Sequence, residues 1–300
     1  MSDATIISAR KDVLNAVILA HNYQIPEVQG IADVSGDSLE LAKISKDSTA
    51  DVIVFCGVRF MAETAKILSP RKTVLLPVLS AGCPLADMIT PAALKRLQRE
   101  NPDAWTVSYV NSSAEIKALS DVCCTSSNAV KVVRNVPARR VIFVPDRNLG
   151  WWVARNVPEK EILVWEGCCN VHEQFSPDEL QEARENFPDA EILVHPECRK
   201  ELLERADAVL STSGMLRRAK ESAARRFVIG TEEGMLYRLR RESPEKEFFP
   251  LGSKRICADM KQTTLRQVRE SLERQRHEIV IPPETGDSAR TALERMVQYL

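Results

Sequence analysis

Short apolar segments alternate along the chain with longer segments that place their apolar residues at helical spacing. The apolar segments are continuous rather than alternating with polar residues, which is typical of parallel strands covered by helices on both faces. Two of the helical segments begin with a hydroxyl residue followed by proline, at Thr90-Pro91 and Ser176-Pro177, as helix N-termini often do. Strands that alternate with helices predict βαβ units and an α/β fold. The predicted strands are residues 16–20, 52–55, 73–76, 106–110, 141–144, 192–194 and 227–229.

The chain also repeats itself. The segment TPAALKRLQRENPDA, which starts at Thr90, is followed 86 residues later by SPDELQEARENFPDA, which starts at Ser176. Cys83 and Cys169 stand just before these segments and are also 86 residues apart, and Cys257 follows 88 residues after Cys169. A shared offset indicates duplication. We therefore predict three tandem three-layer α/β domains, related by pseudo-threefold symmetry around a central active-site cavity.

The repeat length sets the expected domain boundaries. The three α/β repeats are predicted to span residues 1–84, 85–170 and 171–258. Residues 259–300 are predicted to be a C-terminal tail of a helix, a short strand and a final helix, and this tail is a candidate to complete the first repeat.

Composition narrows the class of protein. The chain is 44 % hydrophobic and 28 % charged, with 41 basic against 42 acidic residues, which is the balance of a globular protein with no strong overall field. We expect it to bind neither nucleic acid nor membrane. No apolar run approaches the ~20 residues of a membrane span, and the charged start MSDATIISARKDV is unlike a signal peptide. We therefore expect a cytoplasmic protein whose eight cysteines are not in disulfides.

Polar residues follow the first predicted strand of each repeat. In open parallel sheets, ligands bind beyond the carboxyl ends of the strands, so these residues are candidates for a shared site. One such residue is explained by an ordinary polar strand end, but titratable groups at analogous places in all three repeats favour chemistry. These residues are His21 and Tyr23, Tyr109 and Asn111, and His195 and Glu197.

Three hydroxyl-rich loops precede predicted helices. Residues 36–38, 125–128 and 211–214 each lie where free backbone N–H groups and the helix dipole favour anions. N-capping alone explains one or two hydroxyls in each loop. Together the loops predict binding of carboxylates and a phosphate.

Six of the eight cysteines fall into two groups. Cys56, Cys123 and Cys124 lie in or at the ends of apolar strands and are predicted to be buried and inert. Cys83, Cys169 and Cys257 would converge on the symmetry axis and offer three thiolates to a metal. Three cysteines could hold a four-iron cluster with one open iron, or a zinc ion, and the spacing leaves both open.

The chain resembles the quinolinate synthases, the iron–sulfur enzymes that make the pyridine ring precursor of NAD. The family has three α/β domains around a central cavity, and each domain donates one cysteine to a [4Fe–4S] cluster. The resemblance covers nearly the whole chain and rests on the motifs AHNYQIPEVQ (20–29), DVSGDSLELA (33–42), GCPLADM (82–88), YVNSS (109–113), CTSSNA (124–129), WEGCCNVH (165–172), HPEC (195–198), STSGM (211–215) and CADMKQTTL (257–265).

The resemblance implies cluster ligands at Cys83, Cys169 and Cys257. The family segment W-x-G-x-C-x-V-H selects Cys169 rather than its neighbour Cys168, as the 86-residue offset also does. Some members have a CxxCxxC near the third ligand. This chain has only Cys257 there, so no redox switch of that kind is expected.

The resemblance also implies an activity. The enzyme would be a transferase that condenses iminoaspartate with dihydroxyacetone phosphate to form quinolinate, with loss of phosphate and water and with the cluster as a Lewis acid. Functional coupling to an aspartate-oxidising enzyme is expected. Tyr23 and Glu197 are the expected main proton carriers, with His21 and Tyr109 as further catalytic groups. The residues expected to bind substrate are His21, Ser38, Tyr109, Asn111, Ser126, His172, His195, Glu197, Ser211 and Thr212.

Two other functions stay open at the level of sequence. A hydro-lyase with an open iron would need the cluster but no triose phosphate. A ligand-binding or iron-sensing protein would have no use for Tyr23 or Glu197 as proton carriers.

Overall fold

The computed structural model describes residues 2–300. The first unit contains α1 (Asp3–Val13), β1 (Ala16–His21), α2 (Pro26–Ile31), β2 (Val34–Gly36), α3 (Ser38–Asp47), β3 (Val52–Cys56), α4 (Arg59–Leu68), β4 (Thr73–Leu75) and α5 (Pro84–Asp87). The second contains α6 (Pro91–Glu100), β5 (Trp105–Tyr109), α7 (Ala114–Ala118), β6 (Val122–Cys124), α8 (Ala129–Asn135), β7 (Arg140–Val144), α9 (Arg147–Asn156) and β8 (Glu161–Val164). The third contains α10 (Pro177–Asn186), β9 (Glu191–Val194), α11 (Lys200–Leu203), β10 (Ala208–Val209), α12 (Thr212–Glu221), β11 (Arg226–Gly230), α13 (Gly234–Glu242) and β12 (Glu247–Pro250). The tail carries α14 (Leu265–Arg274) and α15 (Pro283–Gln298).

The strands form three parallel four-stranded sheets with the same topology. Their orders are β2-β1-β3-β4, β6-β5-β7-β8 and β10-β9-β11-β12, and every ladder within them is parallel. The predicted fold class of three tandem α/β domains is confirmed. The predicted strands do not include β2, β6, β8, β10 and β12, which are edge strands. β2, β6 and β10 have only two or three residues, too few for a distinctive apolar run, whereas β8 has the same sequence, EILV, as the predicted strand β9 and carried a signal that was overlooked.

The three units share local hydrogen bonds as well as topology. A carboxylate in each unit accepts the backbone N–H near the start of the first strand. The pairs are Asp33 with Ile18 (2.8 Å), Asp121 with Thr106 (2.7 Å), and Asp207 with Ile192 (2.8 Å). A lysine in each unit donates to carbonyl groups where a helix ends, and these lysines are Lys72, Lys160 and Lys246. Because the same side chains make the same contacts, the repeat extends to the atomic level.

The two helices of the tail pack on the first and second units. Helix α14 packs on α1 and β3 of the first unit, whereas α15 packs mainly on α7 and β6 of the second and also contacts α4 of the first. Between the helices, Glu278 forms an antiparallel bridge with Leu75 at the edge of the first sheet. The segment RQRHE around His277 is typical of a solvent-exposed helix, and we predict His277 there from the sequence. That prediction is wrong, because His277 is half-buried and adopts a left-handed φ of 66° beyond the end of α14.

No helix within residues 2–300 is both long enough and apolar enough to cross a membrane.

Candidate active site

A single cavity lies where the carboxyl ends of the strands from all three units meet. Most of the residues predicted to act in catalysis or binding line it, and Ser211 is the exception. The predicted residues on its wall are His21, Tyr23, Ser38, Cys83, Tyr109, Asn111, Ser126, Cys169, His172, His195, Glu197, Thr212 and Cys257.

The ends of β1 and β9 form matching turns that orient two histidines. The backbone N–H of Tyr23 donates to Nδ1 of His21 (3.2 Å), and the N–H of Glu197 donates to Nδ1 of His195 (3.3 Å). Burial lowers the pKa of both His21 and His195 to about 3. Both imidazoles are therefore neutral at physiological pH, with Nδ1 as acceptor and the proton on Nε2.

Glu197 is the centre of a buried polar network. Its Oε1 accepts hydrogen bonds from the hydroxyl of Tyr109 (2.6 Å) and from Nδ2 of Asn111 (3.2 Å). Its Oε2 lies 2.8 Å from Nδ1 of His172. Burial raises the pKa of Glu197, but the histidines His172 and His195 and the hydrogen bonds outweigh burial and hold it below its usual range. The result is a carboxylate that stays ionised inside the cavity.

Tyr23 and His172 meet through a threonine that sequence reasoning missed. The hydroxyl of Thr231 lies 2.6 Å from that of Tyr23 and 2.8 Å from Nε2 of His172. Burial, together with the negative charge of Glu197, raises the pKa of Tyr23 well above its ordinary value, so its phenol is protonated. Thr231 directly follows β11, and this position after a strand end is the sequence signal that could have identified it.

The hydroxyl loops differ in how they meet their helices. Ser38 and Thr212 are the first residues of α3 and α12, whereas Ser126 precedes the start of α8 by three residues. The hydroxyl of Ser211 caps α12 by accepting the N–H of Gly214 (3.2 Å), and Ser211 lines a neighbouring surface cleft instead of the cavity. Thr212 is held by a hydrogen bond from Nδ2 of Asn22 (2.8 Å).

The three predicted cysteine ligands reach the cavity from three different loops. Cys83 precedes α5, Cys169 follows β8, and Cys257 follows β12. None of the eight cysteines within the described chain is in a disulfide. Burial raises the pKa of all three thiols, to about 12 for Cys83, so the bare cavity disfavours thiolates. A bound cation would reverse that preference, and three converging thiols are a donor set that suits iron–sulfur or zinc chemistry. Cys168 is half-buried and is not among the residues that line the cavity.

A second possible metal set comprises Cys169, His172 and Glu197, whose ligand atoms lie within 4.8 Å of one another. Both ring nitrogens of His172 already lie within hydrogen-bond distance of a side chain. Its Nδ1 lies close to the carboxylate of Glu197, and its Nε2 lies close to the hydroxyl of Thr231. Its Nδ1 also lies 3.2 Å from Sγ of Cys169. Because an ionised carboxylate can only accept, Nδ1 of His172 donates its N–H to Glu197, and the sulfur of Cys169 lies beside the same N–H.

Comparison with known proteins agrees with this arrangement. A family model described as "Quinolinate synthetase A protein" matches residues 5–298. A quinolinate synthase of Alkaliphilus metalliredigens is 51 % identical over 292 residues, which is 97 % of this chain and 96 % of that protein. Quinolinate synthases of Methanoregula boonei (51 % over 287 residues, 96 % and 95 % covered) and Caldicellulosiruptor saccharolyticus (52 % over 284 residues, 95 % and 94 % covered) are similarly close. With this similarity spread over all three units and the cavity between them, the chain belongs to the quinolinate synthase family.

Proposed function

We propose that this chain condenses iminoaspartate with dihydroxyacetone phosphate to form quinolinate, releasing phosphate and water. The observation that carries the proposal is the single cavity in which three cysteines, two phenols and the carboxylate of Glu197, drawn from three units, face the same space. The condensation involves no net oxidation or reduction. It requires repeated proton transfers and the binding of several anionic groups, and the cavity offers groups suited to both tasks.

The proton transfers are assigned to Glu197 and Tyr23. Glu197 is an ionised carboxylate and can accept protons, while Tyr23 is a protonated phenol and can donate them. Tyr109 donates its hydroxyl hydrogen bond to Glu197, so it orients that carboxylate and can relay its proton. Groups whose environments drive their pKa values apart can serve as base and acid in one reaction.

Substrate binding is assigned to neutral donors around the cavity. His21 and His195 are neutral and each can offer an N–H to a carboxylate or carbonyl oxygen. The hydroxyls of Ser38, Ser126 and Thr212 stand near the starts of three helices, where the helix dipole favours carboxylate and phosphate oxygens.

Cys83, Cys169 and Cys257 would hold a [4Fe–4S] cluster with one iron free of protein ligands. Bound there, the cluster would supply a Lewis acid for a substrate oxygen. The fit rests on the three unpaired thiols that line one cavity, since sulfur ligands suit iron–sulfur clusters.

Iminoaspartate is the product of a two-electron oxidation of aspartate. A reaction of that class must supply it, and its imine hydrolyses readily in water. We therefore propose that an aspartate-oxidising enzyme works together with this chain.

The test uses chain purified without oxygen and reconstituted with iron and sulfide. Iminoaspartate formed from oxaloacetate and ammonia is supplied with dihydroxyacetone phosphate, and quinolinate is measured by mass spectrometry. We expect quinolinate only when both substrates are present, and about four irons per chain. Dehydration of a hydroxy acid without the triose phosphate would instead identify a hydro-lyase, and cluster binding without any turnover would favour a sensor.

A further inference from the structure

Glu232 is a buried carboxylate that the reaction described above does not use. Its side chain is fully buried at the cavity wall, directly after Thr231. Its Oε2 accepts the N–H of Gly234 (2.7 Å), and its Oε1 accepts the N–H of Cys257 (3.2 Å). A carboxylate that accepts the backbone N–H of Cys257 fixes the direction in which that cysteine leaves the third unit.

Lys261 completes this arrangement and extends it to another unit. Its ammonium lies 2.8 Å from Oε1 of Glu232 and also donates to the backbone carbonyl of Tyr23 (2.7 Å). Lys261 belongs to the same short segment as Cys257, since its backbone N–H donates to the Cys257 carbonyl (3.2 Å). One ion pair thus connects the backbone of Tyr23 in the first unit with the backbone of Cys257.

The first and third units approach each other closely at this point, so the backbones of Tyr23 and Gly234 have little room to move. A Cβ on Gly234 would lie 2.8 Å from the carbonyl carbon of Tyr23, so the two backbones are nearly in contact. Nε2 of Gln29 donates to the carbonyls of Gly234 (3.1 Å) and Gln24 (2.8 Å), which fastens the loop carrying Tyr23 to the same place.

The internal repeat places a second buried carboxyl group near a cysteine, where it also caps a helix, since Oδ1 of Asp146 accepts the N–H of Leu149 (2.7 Å) at the start of α9. Asp146 precedes Glu232 by 86 residues and occupies the equivalent place after β7 in the second unit. It is also a fully buried carboxylate, and the backbone N–H groups around it include that of Cys169. Buried carboxylates are costly unless paired, so their recurrence beside two of the three cysteines calls for a specific task.

We infer that Glu232 and Lys261 are positioning residues, which set the Cys257 segment and Tyr23 in a fixed relation across the cavity. The expected effect on catalysis rests on the proposed function, whereas the anchoring of the Cys257 segment to Tyr23 does not. The ammonium of Lys261 is engaged by Glu232 and by Tyr23, and it lies outside the residues that line the cavity. Its part is therefore to hold other groups in place.

The first measurement uses the iron-free chain and needs no turnover. Cys257 is alkylated with iodoacetamide at fixed pH, and its rate is compared with that of Cys83 in the same sample by peptide mass spectrometry. In Lys261→Met we expect the rate ratio to rise about tenfold, because the Cys257 segment loses its anchor to the first unit. Loss of a nearby cation would by itself favour the thiol and slow alkylation, so a rise reports motion of the segment.

Matched variants separate anchoring from general damage. Lys246→Met removes another partly buried lysine of the third unit, which bonds only to carbonyls at the end of α12, and it should leave the ratio unchanged. Lys261→Arg keeps the charge and should restore much of the wild-type ratio. The double variant Glu232→Gln/Lys261→Met leaves no unpaired buried charge, so it should melt near the wild-type temperature and yet keep the raised ratio.

In the cluster-loaded enzyme, Lys261→Met should keep its iron and its KM values while kcat falls about tenfold or more, since Tyr23 is misplaced. Equal alkylation ratios in the wild type, Lys261→Met and Lys246→Met would overturn the inference. If the wild type makes no quinolinate but the alkylation results hold, the proposed function fails and the anchoring stands.

Discussion

The hydroxyl of Tyr109 lies 2.6 Å from Oε1 of Glu197, and the two residues come from the ends of equivalent first strands in neighbouring units. The contact exists only because the second and third units face each other across the cavity. It adds a donor to the charges of His172 and His195, and together these hold the pKa of Glu197 below its usual range and keep the carboxylate ionised despite its burial.

Replacing this carboxylate should stop the proton transfers without disturbing the fold. Glu197→Gln keeps the size of the side chain and an acceptor for Tyr109, but it cannot accept a proton. We expect kcat to fall by about 10²-fold or more, the usual scale for a lost acid–base group, with iron content unchanged. Glu166→Gln, at an exposed position, is the control and should retain full activity. A Glu197→Gln enzyme of near-normal rate would exclude Glu197 as a proton carrier.

Tyr23 and Thr231 can be tested as a connected pair. Tyr23→Phe removes only the hydroxyl and should lower kcat by about 10²-fold or more while the cluster stays intact. Thr231→Val keeps the shape of the side chain but breaks the contacts to Tyr23 and His172, so we expect a smaller loss in the same direction. Because the two residues act together, the double variant should lose little more than Tyr23→Phe alone. Additive losses would show that Thr231 acts independently of Tyr23.

The alignment of the repeats selects Cys83, Cys169 and Cys257 as the cluster ligands and excludes Cys168. Cys83→Ser, Cys169→Ser and Cys257→Ser should each lose the cluster or all activity, as measured by iron content and visible absorbance. Cys168→Ser is the matched control, because Cys168 is adjacent in sequence but is not among the residues lining the cavity, and this variant should keep its iron. A colourless Cys168 variant beside a brown Cys169 variant would show that the register is wrong.

Ser126 and Thr212 are predicted to bind anionic groups of the ligand. Ser126→Ala and Thr212→Ala should weaken the binding of quinolinate, used as the probe, by about 1–3 kcal/mol, the scale of a hydrogen bond to a charged group. Thermal melts with and without quinolinate measure this as a smaller ligand-induced shift. Ser211→Ala is the comparison, since the hydroxyl of Ser211 caps α12 and its loss should lower both melts equally, by about 1 kcal/mol of stability. Equal lowering in all three variants would mean that these hydroxyls stabilise the fold and do not bind the ligand.

The two neutral histidines make the stability of the chain depend on pH. Folding lowers the pKa of His21 and His195 from 6.5 to about 3, so between these values the unfolded chain binds more protons than the folded one. The free energy of unfolding should therefore fall as the pH drops from 6.5 towards 3, by up to about 1.4 kcal/mol per pH unit for each histidine. Urea unfolding of His195→Asn should show a shallower dependence than the wild type in this window. An unchanged slope in His195→Asn would mean that His195 is protonated in the folded chain.

Much of the architecture follows from local patterns in the sequence. The central strands could be predicted because burial on both faces requires continuous apolar runs, and a duplicated chain repeats those runs at a constant offset. The offset also placed Cys83, Cys169 and Cys257, and the polar residues after β1, β5 and β9, at equivalent positions before any distance was known. The edge strand β10 was not predicted, because two half-buried residues carry no distinctive pattern.

The tertiary structure decided the relations between residues that are far apart in the chain. Thr231 joins Tyr23 to His172 across 208 and 59 residues, and Lys261 joins Glu232 to the Tyr23 carbonyl across 238 residues. The docking of α15 on α7 and β6 of the second unit was equally invisible in the sequence, which offered the tail only as a candidate to complete the first repeat. A local pattern reports which face of an element is buried, whereas these contacts depend on how whole domains meet. The sequence therefore determined the repeated units and the groups that they present. Only the packing of the units decided which of these groups share a hydrogen bond or line the same cavity.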